Sequence, residues 1–374
     1  MQIPFVDLKS QYQAIKTEID AAIQRVLDNT AFVMGKEVAA FEEAFADYVG
    51  AKHCIAVNSG TAAIQLAVQS CEIGAGDEII LPTNSFFATA EGVSTAGATP
   101  VFVDCEAVSY NIAVEQIESK ITARTRAIMP VHLYGQAADL DKVFEIAAKN
   151  NLLVIEDAAQ AHGAEYKKKR VGALGKAGIF SFYPGKNLGA YGEGGAIVTN
   201  DDAVAKRARL LRDHGSSQKY VHEIVGYNFR LEGLQGAILA VKLKYLDEWN
   251  NLRCQHAALY DELLKDSGLV LQLEMDYAHH VRHLYVVQTD RRDELQKVLN
   301  DADVQTGIHY PIPIHLQKAY DNLNYKIGDF PEAEKQAKRV LSLPMFAELK
   351  HEQIEFVAET INNWAGKTEA AAQI

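Results

Sequence analysis

From Cys54 to Thr199 the chain repeats one pattern, a short apolar run rich in β-branched residues followed by a longer amphipathic stretch. The runs are CIAV (54–57), EIIL (78–81), VFV (101–103), AIMPV (127–131), LLVI (152–155), GIFSF (178–182) and AIV (196–198). They are continuous rather than alternating, as strands buried on both faces are, and the stretches between them carry helical spacing. The pattern predicts an α/β fold with a mainly parallel, seven-stranded sheet in a large domain.

Beyond residue 200 the pattern changes. It predicts a charged helix over about 201–213, a polar loop at HGSSQKY (214–220) and one long helix from about Leu231 to Leu263. A lone strand, LYVVQT (284–289), follows, with helices near 292–300, 331–342 and 351–363 and a PxP loop at Pro311 and Pro313. These elements predict a smaller α+β domain over 246–374, after a large α/β domain over 1–245 whose first thirty-odd residues are helical and pack back onto the fold. The boundary falls inside the long helix. At 374 residues the chain exceeds the size at which a single core stops growing, which agrees with two domains.

Composition narrows the function. A net charge of −12 argues against a nucleic-acid or anionic-membrane partner, because both are held by an excess of Lys and Arg. Positive contacts to an anionic ligand must then be local. The four cysteines, Cys54, Cys71, Cys105 and Cys254, form no CxxC pair and read as small core residues in a reducing compartment. No uncharged apolar run approaches the length of a membrane span, so a soluble, cytoplasmic protein is expected.

Three strand ends carry candidate chemistry, and in an open α/β sheet such ends converge on one crevice. NSGTAA (58–63) opens a helix with Ser59, Gly60 and Thr61, where free backbone N–H groups suit a phosphate or serve an ordinary helix cap. LLVIEDAAQ ends on Asp157, a carboxylate that is costly to bury without a partner; it fits a protonated ring nitrogen or a structural cap. Glu156 points to the opposite face. SFYPGKNLGAYGEGG (181–195) sets Lys186 on a turn between glycines. Its glycines do not follow GxGxxG spacing and lead into a strand, which disfavours a dinucleotide fingerprint and with it a nucleotide-dependent oxidoreductase. Pyridoxal phosphate needs an amine for a Schiff base, a carboxylate for its ring nitrogen and a phosphate pocket, and these three strand ends supply them.

NSGTAA, PTNSFFAT, EDAAQAHGA, SFYPGKNLGAYGEGGAIVTN, GYNFRLEGLQGAIL and HYPIP, in this order, resemble the DegT-type nucleotide-sugar aminotransferases, a branch of the fold-type I pyridoxal-phosphate enzymes. The resemblance runs from about Phe5 to the final helix. It implies that Lys186 forms the Schiff base and moves the proton, Asp157 pairs with the pyridine nitrogen and Gln160 bonds the 3-oxygen. It implies that Phe86 stacks on the ring, with Ser85 departing mildly from the family's T-F-x-A-T, and that Ser181, Gly60 and Thr61 hold the phosphate. Asn228 and Arg230 resemble residues given by the partner of a homodimer, Asn228 to the cofactor phosphate and Arg230 to the substrate diphosphate. His309 and Tyr310 resemble substrate-side contacts. Family dehydratases carry histidine at the Schiff-base position; Lys186 favours transamination.

The activity so implied is transfer of an amine, with L-glutamate as donor, to a nucleotide-linked keto-hexose of the dTDP or UDP series in amino-sugar biosynthesis such as that of O-antigen. The segment 214–230 looks more like members acting on 3-keto sugars than on 4-keto sugars. A regulatory protein that keeps the fold is the rival of a different class, and it would be expected to have lost Lys186 or Asp157. His279, His280 and His283 lack a carboxylate or cysteine pattern and read as a solvated loop, not a metal site. KKKR (167–170) reads as an exposed turn. Tyr220, His222 and Tyr227 fit either loop packing or substrate binding.

Overall fold

The computed structural model describes residues 1–372. Seven strands form the central sheet: β1 His53–Val57, β2 Glu78–Pro82, β3 Thr99–Val103, β4 Thr125–Ile128, β5 Leu153–Asp157, β6 Ala177–Ser181 and β7 Gly195–Thr199. Their order is β1-β7-β6-β5-β4-β2-β3. Six run in one direction, and β7 alone runs antiparallel to both neighbours. The seven expected runs are therefore the seven strands, with ends shifted by a residue or two; AIMPV is the largest shift, since β4 stops at Ile128 ahead of Pro130.

Helices cover both faces. Gly60–Ser70, Ala88–Thr95 and Asp202–Arg212 pack on one side through Ile64, Val93 and Ala208 against Ile55, Ile155 and Ile179. Lys36–Val49 and Gly233–Leu243 cover part of the other, where Phe41, Phe45 and Leu239 meet Phe180 and Val198. Alternation along β5 decides its chemistry: Ile155 and Asp157 face the first layer, and Glu156 faces away. Glu156 is fully buried, and its carboxylate accepts from the backbone N–H groups of Gly172, Leu174 and Gly175 at 2.8, 2.8 and 2.7 Å. It is a structural anchor.

The single long helix expected over 231–263 is two helices, Gly233–Leu243 and Leu246–Leu264. The chain breaks at Lys244 and Tyr245, both of which bond Glu18 of the helix Lys16–Asn29. That N-terminal helix packs back through Ile19, Ala22 and Val26 onto Ala237, Ile238 and Val241. In the C-terminal part, Tyr285–Gln288 pairs antiparallel with both Val270–Leu271 and Val340–Leu343. The helix expected through 342 ends at Arg339, because Val340, Leu341 and Leu343 are buried as a strand. HGSSQKY is not a plain loop: Ser216–Gln218 pairs with Val221–His222 as a short ribbon.

Candidate active site

The site forms where β1, β5 and β6 end on the same edge of the sheet. After β1, Ser59 caps the helix Gly60–Ser70, its Oγ accepting from Ala62 N at 3.1 Å. The first-turn N–H groups of Gly60 and Thr61 have no intrahelical acceptor, and the helix dipole adds to their pull on an anion. The helix start abuts the end of β6: a Cβ on Gly60 would lie 2.6 Å from Cβ of Ser181. Only glycine permits that approach, and it brings the Ser181 hydroxyl beside the free N–H groups. The buried Asn58 Oδ1 next to this corner has no hydrogen-bond partner.

After β6 the chain makes a closed loop. Phe182 N bonds Gly194 O at 2.7 Å, Ala190 N bonds Phe182 O at 2.8 Å, and Lys186 N bonds Tyr183 O at 2.9 Å at the tip. Gly189 is needed here for closeness, since a Cβ there would stand 2.2 Å from Pro184 O. Nζ of Lys186 makes no hydrogen bond or ion pair among the described residues. Burial lowers its pKa to about 8, with the Asp157 carboxylate pulling it back up.

Asp157 is 3% exposed. Its Oδ2 accepts from Thr89 Oγ1 at 2.8 Å and its Oδ1 from Ala159 N at 3.1 Å. Burial raises its pKa against these two bonds and the nearby Lys186 and His132. Gln160 Oε1 accepts from Tyr134 N at 2.9 Å, which turns Nε2 toward the Tyr310 hydroxyl at 3.1 Å. The Phe86 ring, 54% exposed, lies 5.5 Å from the Tyr310 ring. Burial, with the Asp157 charge behind it, holds the Tyr310 phenol protonated. His309 stacks on Phe5 at 5.6 Å and its Nδ1 is 2.9 Å from Ser342 Oγ. Burial first, then Lys186, pushes its pKa down to about 4, so the ring is neutral.

The side chains of Asn228 and Arg230 make no hydrogen bond or ion pair with these groups, although their backbone runs beside the end of β1. Arg230 bridges Val57 through its backbone, while its Nε donates to Asn228 Oδ1 at 3.0 Å and its guanidinium meets Asp213 at 3.2 Å. Thr89 is a site residue that sequence reading passed over. Ser85 Oγ lies 2.8 Å from Thr89 Oγ1, so the i, i+4 pair in PTNSFFAT forms a hydroxyl chain leading to Asp157. That spacing was the available signal.

One further expectation changes. His280 and His283 are buried, His283 bonding Asn187 Oδ1 at 3.1 Å, and only His279 is exposed as a solvated loop requires. Among the described residues no group of three His, Cys, Asp or Glu could hold a metal. No helix is long and apolar enough to cross a membrane.

The residues fit pyridoxal phosphate. The corner at Gly60 and Ser181 leaves donors for a phosphate, the buried Asp157 gains from a cationic nitrogen, and the Lys186 amine is free. An unpaired lysine on a constrained loop, near a buried carboxylate and an anion corner at the sheet's carboxyl edge, is the set of groups that an amine-transfer site of the pyridoxal-phosphate class requires. Residues 13–362 match the DegT/DnrJ/EryC1/StrS aminotransferase family, and the chain belongs to it. It is 48% identical to a "Pleiotropic regulatory protein" of Geobacillus stearothermophilus, over 96% of this chain and 98% of the relative. It is 44% identical to the dTDP-3-amino-3,4,6-trideoxy-alpha-D-glucose transaminase of Streptomyces venezuelae, over 99% and 98%. Its fold matches the crystal structure of S. venezuelae DesV in complex with a ketimine intermediate, with TM-score 0.96 and 44% identity over 97% of this chain and 98% of that one.

Proposed function

We propose that this protein transfers an amino group from L-glutamate to C3 of a nucleotide-linked 3-keto-hexose of the dTDP or UDP series. It is a sugar aminotransferase working with pyridoxal phosphate. The observation that carries the reading is the free amine of Lys186 beside the buried Asp157 at the sheet edge. Position C3 is supported by the name of the S. venezuelae relative. The relative named as regulatory is no obstacle, because both Lys186 and Asp157 are retained here.

When bound, pyridoxal phosphate supplies an electrophilic carbon and an electron sink. The protein supplies the rest. Lys186 Nζ would hold the cofactor and, when free, would be the base that moves the proton; in the cofactor-free protein burial already lowers its pKa to about 8. Asp157 holds the ring nitrogen in its cationic form, and the Ser85–Thr89 hydroxyl chain keeps its carboxylate oriented. Gly60 N–H, Thr61 N–H and Ser181 Oγ take the phosphate, Gln160 Nε2 the 3-oxygen, and Phe86 one ring face. His309, neutral, and Tyr310, protonated, present hydrogen bonds to the sugar side. Asn228 and Arg230 reach the neighbouring site of a homodimer, Asn228 to the phosphate and Arg230 to the substrate diphosphate. The reaction belongs to the cytoplasm, within amino-sugar biosynthesis such as that of O-antigen.

The test is a panel of 3-keto and 4-keto dTDP- and UDP-sugars with ¹⁵N-labelled L-glutamate. Label at C3 is expected. Label at C4, or no labelled sugar, overturns the assignment.

A further inference from the structure

A second lysine is buried behind the loop that carries Lys186. Lys242, on the helix Gly233–Leu243, is 1% exposed. It makes no ion pair among the described residues; burial lowers its pKa to about 7, and the more distant Glu348 raises it. Its Nζ donates to the carbonyl of Gly189 and stands over two ring faces, Tyr191 at 5.0 Å and Trp249 at 5.8 Å. Burying an ammonium is costly, and an aromatic cage plus one carbonyl is a small return unless the bond itself is used.

The same helix grips the loop a second time. Gln235, two turns before Lys242 on the same face, accepts from Tyr191 N at 2.9 Å and donates to Tyr191 O at 3.4 Å. A Cβ on Gly192 would come within 3.0 Å of the Gln235 amide, so helix and loop are in close contact there too. On either side of Gly189, Leu188 and Ala190 are fully buried. The descending limb of the loop, residues 188–192, is thus fixed by side chains of one helix. The ascending limb is fixed by β6, and Lys186 stands at the tip between them.

We propose that Lys242 and Gln235 are positioning residues that clamp residues 189–191 and thereby hold the Lys186 amine where it reacts. The inference rests on the reading of Lys186 as the cofactor lysine. It separates two properties that a merely structural contact would move together. Binding of the cofactor's phosphate is set at Gly60 and Ser181, away from the clamp, whereas covalent attachment requires the amine to be in place. A misplacement of about 1 Å costs such a step on the order of a hundredfold.

The experiment uses full-length protein stripped of cofactor and the variants Lys242→Met, Lys242→Arg and Gln235→Leu, each taken as the folded fraction from gel filtration. Noncovalent pyridoxal-phosphate affinity, the rate of attachment trapped by borohydride, and the labelling rate of Lys186 by acetic anhydride without cofactor are measured, with the modified lysine located by mass spectrometry. Expected are a fall of about tenfold or more in attachment for Lys242→Met and Gln235→Leu, affinity within a few fold of wild type, an altered Lys186 labelling rate, and partial recovery in Lys242→Arg. Attachment unchanged in the folded variants, or affinity and attachment lost in equal measure, overturns the clamp. Attachment at a lysine other than Lys186 in the wild type instead overturns the reading of Lys186 itself.

Discussion

Replacing Asp157 by asparagine tests the electrostatics of the site in a form that gives a number. In the cofactor-free protein the Lys186 pKa, about 8 instead of 10.5, is the balance of burial, which lowers it, and the Asp157 charge, which raises it. At pH 7 that balance leaves about one amine in ten unprotonated, against about one in three thousand for an ordinary lysine. An opposite charge at close range is worth about 1–3 pKa units, so Asp157→Asn removes support and drops the midpoint by about one unit or more, on the order of 1.4 kcal/mol per unit. Asparagine keeps the shape and can still accept from Ala159 N. The assay is competitive acetylation of cofactor-free protein across pH, comparing the Lys186 peptide with that of an exposed lysine such as Lys168. A midpoint near 8 in the wild type and near or below 7 in the variant is expected. A wild-type midpoint near 10, or a rise on substitution, refutes the reasoning.

Other outcomes follow from the same contacts. Because the unfolded state binds the Lys186 proton between about pH 8 and 10.5 and the folded, cofactor-free state does not, stability should rise with pH through that window, and Lys186→Met should flatten the slope in denaturant titrations. Gly60→Ala forces a Cβ against Ser181 and should weaken pyridoxal-phosphate affinity by about tenfold or more, with Gly60→Ala/Ser181→Gly no longer clashing but still lacking the hydroxyl; equilibrium dialysis reads both. Thr89→Val leaves Asp157 Oδ2 without its hydroxyl donor, a loss of about 1.5–3 kcal/mol to a charged acceptor, and should slow the glutamate half reaction by tenfold or more while cofactor stays bound. Mixing the Lys186→Ala and Arg230→Ala proteins should restore about a quarter of the sites if the chain forms the proposed homodimer and Arg230 acts across its two-fold axis, and none if Arg230 acts within its own chain, once subunit exchange is shown with tags.

The strands were legible because both-face burial leaves an uninterrupted apolar run, and the three polar clusters were legible because each follows such a run directly. Asp157 and Glu156 separate by alternation alone. What escaped depends on contacts far apart in sequence. The helix break at Tyr245 is tied to Glu18, over two hundred residues upstream, so its periodicity reads straight through. Val340–Leu343 continues a helical pattern until a partner strand at Tyr285–Gln288 claims it. His280 and His283 look like surface residues in a polar run, yet the fold buries them, and His283 meets Asn187, the neighbour of Lys186. Thr89 meets Asp157 only because the helix after β2 packs against the end of β5, a contact between residues 68 apart in sequence. The glycines flanking Lys186 look like turn formers in the sequence, whereas Gly189 works by permitting close packing at an ordinary φ.

Loading the protein with pyridoxal phosphate and adding L-glutamate alone tests the central claim most directly. Borohydride added before glutamate should fix the cofactor to the Lys186 peptide. Borohydride added after it should fix little, with 2-oxoglutarate formed in amounts stoichiometric with chains and the amine then transferable to a 3-keto nucleotide sugar. Cofactor fixed to a different lysine, or no keto acid released despite a bound cofactor, would contradict the assignment of Lys186 and Asp157 as the amine-transfer centre.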